Sequence, residues 1–162
     1  MLSINRAEPY RVFLVEDNPA EVRLIQEAVK EAELAKMLVF DYAYDGEEAM
    51  EKLDEMKYNH LHFDLVLLDL NLPKLSGKDV LEKIKSDSEL ETTPVIVVTN
   101  SDYKKDMIDC YRLGADGYLQ KPADFKKLVD FFVSVKKSIE IRNKLSIYFI
   151  EHAYYDHLDI AV

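Results

Sequence analysis

The sequence predicts an α/β fold, a three-layer doubly wound sandwich around a five-stranded parallel sheet. Short apolar runs alternate along the chain with stretches in which apolar residues recur at helical spacing, the pattern of repeated strand–helix units. The runs are nearly continuous rather than alternating, which is typical of strands buried on both faces. Several of them end in a polar residue, and the carboxyl ends of strands are where open α/β sheets place their sites.

The first strand is predicted at 11–15, an apolar run that stops at two adjacent acids. Asn18 is a good N-cap and Pro19 suits the first helical position, so a helix is predicted to follow. This first helix is predicted at 19–35, because its apolar residues recur at helical spacing: Val22, Ile25, Ala28, Val29 and Ala32.

The second strand is predicted at 38–44. Asp45 is predicted to cap the second helix, because Glu48 stands three residues further on, at the spacing of a capping box. The third strand is the apolar run that ends at Asp69. Pro73 follows closely and prevents a simple continuation of the strand.

The third helix is predicted to begin at Gly77, with an inward face of Val80, Leu81 and Ile84. The fourth strand is the apolar run that ends at Thr99. Asp102 is predicted to cap the fourth helix, and Gly114 is predicted to be its left-handed C-terminal residue. The face expected of this helix consists of Met107, Ile108 and Tyr111.

The fifth strand is short, at 117–119, and Asp124 is predicted to cap the fifth helix. The apolar stripe of that helix is formed by Leu128, Val129, Phe132, Val135 and Ile139. The chain is thus predicted to contain a short arm at 1–10, one domain at 11–140 and an extension at 141–162.

Five chemically active side chains lie at or just after the ends of four predicted strands: Glu16, Asp17, Asp69, Thr99 and Lys121. In a parallel sheet these ends share one edge. Carboxylates are the hard oxygen ligands that Mg²⁺ prefers, whereas a lysine and a hydroxyl suit a phosphoryl group. The pattern therefore predicts a metal and phosphoryl site, although Asp69 considered alone is equally well explained as the cap of a strand.

These features resemble the receiver domain of two-component response regulators, and the resemblance extends over residues 11–140. It is carried by the acidic pair, the phosphoacceptor position, a hydroxyl, an aromatic residue and a Lys-Pro pair, in order and at the family's spacing: Glu16, Asp17, Asp69, Thr99, Tyr118, Lys121 and Pro122. The segments LVEDNPAEVRLIQEA, LLDLNLPKLSGKDVLEKIK and YRLGADGYLQKP are most similar to the single-domain regulators paired with phytochrome-type histidine kinases.

The resemblance implies a flavodoxin-like sheet of order 2-1-3-4-5, which the right-handed crossover rule allows. It implies that Asp69 accepts a phosphoryl group from a kinase histidine, with Thr99 and Lys121 contacting that group. Mg²⁺ would be held by Asp17, Asp69 and the backbone carbonyl of Asn71, with Glu16 acting through water.

The family also implies a switch and a special peptide bond. Thr99 would move toward the phosphoryl group and Tyr118 would rotate into the vacated space, which would alter the surface of helix four, strand five and helix five. Tyr118 could instead be an ordinary half-buried aromatic residue. The bond before Pro122 would be cis, as it is in the family.

Composition limits the partners. A net charge of −10 argues against a nucleic-acid surface, which requires a basic patch. The chain has no run of 18 apolar residues that would span a membrane. Its single cysteine, Cys110, cannot form an intrachain disulfide and fits a reducing compartment, so a cytoplasmic location is expected.

Two other functions compete with the phosphorylation switch. An aspartyl-nucleophile phosphohydrolase would need a second acid two residues after Asp69, but Asn71 stands there and cannot transfer a proton. We therefore expect no enzyme. A receiver used only for docking is disfavoured by the intact set of acids, threonine and lysine.

The expected partners are a histidine kinase, phytochrome-like by resemblance, a downstream protein and a second copy of the chain. The homodimer is expected through helix four, strand five and helix five, where Phe131 and Phe132 would mark two faces of one helix. The alternative is a monomer covered by its own tail. The prediction rests on the aromatic residues of the last third: Tyr111, Tyr118, Phe125, Phe131, Phe132, Tyr148, Phe149, Tyr154 and Tyr155.

Overall fold

The computed structural model describes residues 8–121 and 124–142, over which five strands alternate with five helices. The strands are β1 (Tyr10–Val15), β2 (Leu38–Ala43), β3 (Leu65–Leu68), β4 (Val95–Thr99) and β5 (Gly117–Gln120). The helices are α1 (Pro19–Glu31), α2 (Gly46–Tyr58), α3 (Gly77–Ser86), α4 (Lys104–Arg112) and α5 (Phe125–Arg142).

The predicted domain limits stay predictions, because most of the arm at 1–10 and of the extension at 141–162 lies outside the described residues. Pro122 lies outside them as well, so its predicted cis bond also stays a prediction.

The sheet is parallel throughout and has the order β2-β1-β3-β4-β5, which confirms the predicted doubly wound topology. Val15 lies level with Leu68, and Leu68 lies level with Val97. β1 and β3 therefore end at the same height, and β4 extends two residues further. The residues that follow β1 and β3 are placed side by side at the carboxyl edge of the sheet.

One hydrophobic core lies on each face of the sheet, and the alternation of side chains along β1 assigns its residues to the two cores. Val12 and Leu14 pack with α1 and α5. Phe13 and Val15 pack on the opposite face with α2, α3 and α4, where the ring of Phe13 stacks on Phe63 at 4.6 Å. Because both faces are covered, the central strands are buried along their whole length, as their continuous apolar runs predict.

Helix α1 ends at Glu31, so its predicted end at 35 is wrong. The cause is Glu33, whose φ of 58° turns the chain out of the helix, after which the Leu34 amide donates to the carbonyl of Val29 at 3.0 Å. Three other predicted helix boundaries are confirmed: Asn18 caps the start of α1, Asp45 caps the start of α2 by accepting from the Glu48 amide, and Gly114 follows the end of α4 with a φ of 98°.

Helix α4 departs from its prediction at its start. It begins at Lys104 with Tyr103 as its N-cap and without a capping side chain, so the predicted cap at Asp102 is wrong. Cys110 is its buried residue. The predicted face of Met107, Ile108 and Tyr111 lies at the surface.

Helix α5 buries both Phe131 and Phe132, whose rings meet edge to face at 5.2 Å. Both belong to the core formed with α1. The expectation that this pair would present one aromatic ring to a partner is therefore wrong. Over the part of the chain that the structure describes, we find no helix whose length and apolarity would let it cross a lipid bilayer.

Candidate functional site

Three acids meet at the carboxyl edge of the sheet. Glu16 and Asp17 directly follow β1, and Asp69 directly follows β3. One carboxylate oxygen from each lies within 4.8 Å of the others. Glu16 and Asp69 are buried, with exposures of 2% and 5%, whereas Asp17 is exposed. The predicted acidic cluster therefore forms, and it is open to solvent on the side of Asp17.

Lys121, which follows β5, joins this cluster. Its Nζ lies 2.5 Å from Glu16 Oε2 and 3.3 Å from Asp69 Oδ2, and its amide donates to the carbonyl of Thr99 at 2.7 Å. The sequence assigned Lys121 to a phosphoryl oxygen and Glu16 to a metal-bound water. It gave no indication that the two would pair, because they lie 105 residues apart in the sequence and carry no shared motif.

Burial and charge oppose each other in this pair. Burial raises the pKa of Glu16 above its ordinary value, and the hydrogen bond and charge of Lys121 offset only part of that rise. Burial also acts to lower the pKa of Lys121, but the hydrogen bond to Glu16 and the charges of Asp69 and Glu16 outweigh it and raise the pKa. Lys121 is therefore a firmly charged cation that partly neutralises the acids around it.

Backbone groups hold the two buried carboxylates in place. The Asn18 amide donates to Glu16 Oε1 at 3.1 Å, and the Asn71 amide donates to Asp69 Oδ1 at 3.3 Å. Gly77 packs directly behind Asp69, since a Cβ on it would lie 2.1 Å from the Asp69 carbonyl oxygen. The position of the Asp69 backbone thus depends on the first residue of α3.

The donor set fits a hard divalent cation. Carboxylate oxygens in a compact cluster, one of them exposed to water, are the ligands that Mg²⁺ or Mn²⁺ takes while it keeps several waters. Glu16, Asp17 and Asp69 are the residues that could hold it. The structure describes the amide of Asn71 at Asp69, and the ligand role of the Asn71 carbonyl stays a prediction.

The two predicted switch residues both contact Ser101. Thr99 is fully buried, and its Oγ1 accepts from the Ser101 amide at 3.3 Å. Tyr118 is also buried, with its hydroxyl donating to the Ser101 carbonyl at 3.1 Å. Ser101 therefore links Thr99 to Tyr118. The sequence did not single it out, although its place two residues after Thr99 is a signal that could have found it.

The family is shown by comparison with known proteins. Residues 12–132 match the model of the response regulator receiver domain. The chain is 39% identical over 122 residues to the response regulator Rcp1 of Synechocystis sp., which covers 74% of this chain and 82% of that protein. The chain therefore belongs to the response-regulator receiver family, whose members are in general signalling proteins rather than enzymes.

Solved structures agree with this assignment. The phosphorylated cyanobacterial phytochrome response regulator RcpA matches with a TM-score of 0.75 and 36% identity, over 85% of this chain and 99% of that chain. The Mn²⁺-bound form of Rcp1 matches with a TM-score of 0.70 and 34% identity, over 85% of this chain and 99% of that chain. The predicted family and fold are confirmed.

Proposed function

We propose that this member of the response-regulator receiver family accepts a phosphoryl group on Asp69 from a histidine kinase and thereby changes its binding to a partner protein. The observation that carries the proposal is the position of Asp69. Its carboxylate is buried at the edge of the sheet, 3.3 Å from the ammonium of Lys121 and within 4.8 Å of two further acids.

The chemistry is an in-line transfer to a carboxylate. An oxygen of Asp69 attacks the phosphorus of a phosphohistidine, the P–N bond breaks, and the imidazole leaves with the electron pair and takes up a proton. A carboxylate is a weak nucleophile for an anionic phosphoryl group, so the reaction depends on cancelling their repulsion. Lys121 contributes one positive charge from within the site, and the hydroxyl of Thr99 is available as a hydrogen-bond donor.

We further propose Mg²⁺ as the cofactor, held by Glu16, Asp17 and Asp69 with the carbonyl of Asn71. When bound, the cation supplies the charge that Lys121 alone does not, since three carboxylates face one ammonium. The proposal is supported by the donor set and by the Mn²⁺-bound structure of the similar regulator Rcp1.

The switch belongs to the same proposal. If Thr99 Oγ1 turns toward a phosphoryl group, it gives up the hydrogen bond from the Ser101 amide. Ser101 also holds the hydroxyl of Tyr118 through its carbonyl, so a change at Thr99 reaches Tyr118 through one residue. The surface that would respond is the face of α4, β5 and α5.

An apolar pocket beside the site could bind a side chain of the kinase. It has a volume of about 160 Å³, lies between α1 and α5, and is lined by Glu21, Leu24, Ile25, Val98, Lys121, Phe125 and Leu128. We propose that the kinase rests an apolar side chain here while its histidine reaches Asp69. The similarity to phytochrome response regulators favours a phytochrome-type kinase, and a phosphotransfer profile against the histidine kinases of the source organism tests that choice.

We also propose a homodimer through the exposed face of α4 and a cytoplasmic location, the latter on the chain's single thiol. A phosphohydrolase is the weaker alternative, because Asn71 occupies the place of its second acid.

The test is phosphorylation of the whole chain by acetyl phosphate with Mg²⁺. Its intact mass should rise by one phosphoryl group, and Asp69→Asn should remove that gain. Asp54→Asn, a change of an exposed acid on α2, is the matched control and should leave labelling intact. Equal labelling of Asp69→Asn and the natural chain would overturn the proposal, and repeated release of phosphate from a monoester would favour the phosphohydrolase.

A further inference from the structure

The loop that follows Asp69 is fastened to the start of α2. We call residues 70–76, between β3 and α3, the β3–α3 loop. The Gly46 amide donates to the Pro73 carbonyl at 3.2 Å. Lys74 Nζ lies 2.8 Å from Asp45 Oδ2 and 3.5 Å from Glu47 Oε2. The loop is therefore held to α2 by one backbone hydrogen bond and one lysine that bridges two acids.

Lys74 has an unusual backbone. Its φ is 67°, in the left-handed region that disfavours residues with a Cβ. Over residues 8–121 and 124–142 two other non-glycine residues have a positive φ, and both stand just after a helix, Glu33 after α1 and His60 after α2. Lys74 does not end a helix. A strained residue persists where its surroundings hold it, and such residues cluster at functional sites.

The first turn of α2 is shaped to receive this loop. A Cβ on Gly46 would lie 2.1 Å from the carbonyl oxygen of Leu75, so only glycine allows the two backbones to meet. Asp45 is itself fixed, because its other oxygen accepts from the Glu48 amide at 2.8 Å. The acid that binds Lys74 is thus anchored to the helix rather than free to follow the loop.

The fastened segment leads directly to the metal ligands. The Asn71 amide binds Asp69 Oδ1, and the Leu72 and Gly77 amides both donate to the Leu70 carbonyl, at 3.2 and 2.9 Å. A displacement of 73–75 would therefore reach Asp69 and Asn71 within a few bonds.

We propose that Lys74 and Gly46 are positioning residues for the divalent cation, which hold the β3–α3 loop on α2 so that Asp69 and Asn71 keep their places as ligands. The inference rests on the proposed function, because it concerns the same cation. It adds to that site two residues that contact neither the cation nor the phosphoryl group.

An electrostatic role and a positioning role for Lys74 predict opposite changes in Mg²⁺ affinity. If Lys74 mattered only as a cation near the site, Lys74→Met would remove a repulsive charge and tighten Mg²⁺ binding. If it positions the loop, Lys74→Met should weaken Mg²⁺ binding about three- to tenfold, the scale of a partly exposed ion pair that restrains a strained loop.

Three further variants separate the contributions. Lys74→Arg keeps the ion pair and should bind Mg²⁺ like the natural chain. Lys74→Gly loses the ion pair but relieves the backbone strain, so its loss should be smaller than that of Lys74→Met. Lys83→Met is the matched control, because Lys83 also joins α3 to α2, through Asp54 at 3.0 Å, but away from the loop. It should leave Mg²⁺ binding unchanged.

The measurement is calorimetric titration of the full chain with MgCl₂, together with the rate of labelling by acetyl phosphate at limiting and at saturating Mg²⁺. The labelling rate of Lys74→Met should fall at limiting Mg²⁺ and recover at saturation. Gly46→Ala should lose more affinity than Lys74→Met if it folds, and the lysine variants decide the matter if it does not.

The inference would be overturned by an Mg²⁺ affinity of Lys74→Met equal to or tighter than that of the natural chain, whether or not the melting temperature of the metal-free variant falls. Failure of the natural chain to bind Mg²⁺ would instead count against the proposed function.

Discussion

At the scale of single residues, the pairing of Glu16 with Lys121 makes each dependent on the other. Glu16 is 2% exposed and its carboxylate lies 2.5 Å from the lysine, so removal of the lysine leaves a buried carboxylate without its cationic partner. We expect Lys121→Met to lower the free energy of unfolding by about 3 kcal/mol, the usual effect of breaking a buried ion pair from one side. Urea unfolding of the metal-free chain measures it.

The control is a second substitution that removes the buried negative charge of Glu16. Glu16→Gln combined with Lys121→Met should recover much of the lost stability, because a neutral amide is less costly to bury than a carboxylate. If the double variant is as unstable as Lys121→Met alone, the packing of the lysine stem rather than its charge stabilises the site.

Asp17 is the acid of the cluster that stands in solvent. Its carboxylate lies within 4.8 Å of Glu16 and Asp69, and the described ion pairs of Lys121 go to those two acids. Asp17→Asn should therefore abolish Mg²⁺ binding and stabilise the metal-free fold by about 1 kcal/mol, the repulsion between unit charges at such a distance in water-like surroundings. Thermal unfolding without metal tests it, and a clearly less stable variant would contradict a repulsive metal site.

Asp106 provides a pH dependence with a definite sign. The pKa of Asp106 lies below its ordinary value of 3.8, mainly because Lys78 donates a hydrogen bond to its carboxylate. A hydrogen bond from Ser101 is the second cause. The folded state then binds fewer protons than the unfolded chain, so the contribution of Asp106 to stability is complete above pH 3.8 and is lost as the pH falls through the lowered pKa. Asp106→Asn should flatten the fall of stability in acid, as should Lys78→Met. Equal slopes for the variants and the natural chain would be the contrary result.

The residues of the site were predictable because each one ends or follows a strand, and strand ends are visible in sequence as the last apolar residue of a run. The contacts among these residues were less predictable from the sequence. Glu16, Asp17, Asp69, Thr99 and Lys121 could be placed at one edge from topology alone. The distances that decide which acid takes the lysine depend on side-chain directions, and no local pattern encodes them.

At the scale of elements, α4 is held by polar contacts as well as by core packing. It buries Cys110 and lacks a capping side chain. Lys78, in the first turn of α3, instead reaches Asp106 at 2.8 Å and Asp109 at 3.0 Å, and Ser101 donates to Asp106 at 2.6 Å. Lys78 on α3 therefore contributes to the position of α4, together with the buried Cys110.

Lys78→Met should consequently loosen α4 more than the rest of the domain. We expect faster amide exchange in 104–112 with little change in the central strands, since local opening follows the contacts that are lost. Lys83→Met is the control and should leave exchange in α4 unchanged. Lys83 also lies on α3, but it pairs with Asp54 on α2. Uniform acceleration over the whole domain would show that Lys78 contributes to global stability instead.

The wrongly predicted end of α1 has a physical cause. Helix α1 ends by a left-handed turn at Glu33, a glutamate that carries no stop signal of its own, whereas Gly114 after α4 was predicted correctly because glycine is the usual residue for that conformation. The exposure of the predicted face of α4 could not be predicted, because apolar residues at helical spacing show that a helix is amphipathic, but not whether its apolar side meets the core or lies at the surface.

At the scale of the whole molecule, the two cores explain why the fold was the most predictable feature. Both faces of the sheet are covered by helices, so the strands are continuous apolar runs and each helix carries one apolar stripe. These two patterns together predict a sheet between two layers of helices. The order of strands came from the resemblance, because periodicity alone does not fix which strands are neighbours.

The burial of the α5 aromatic pair places the predicted dimer contact on α4. The pair Phe131 and Phe132 lies inside the core, so it cannot form an interface. The exposed apolar residues of α4 are instead Met107, Ile108 and Tyr111, with exposures of 37%, 45% and 46%. Apolar and aromatic residues grouped on a surface are typical of contacts between chains, and a two-fold contact is the commonest form.

Ile108→Glu should therefore keep the fold and abolish the dimer, because it places a charge at the centre of this face and, in a two-fold contact, near its own copy. Sedimentation velocity at tens of micromolar, with and without a phosphate mimic, measures the effect on the full chain and on a version that ends at Glu140. Leu61→Glu is the matched control, since Leu61 is 50% exposed but follows α2, and it should leave the dimer intact. If the natural chain is a monomer in every condition, the dimer is wrong. If the shortened chain alone is monomeric and Ile108→Glu still dimerises, the extension forms the contact and α4 is left for another partner.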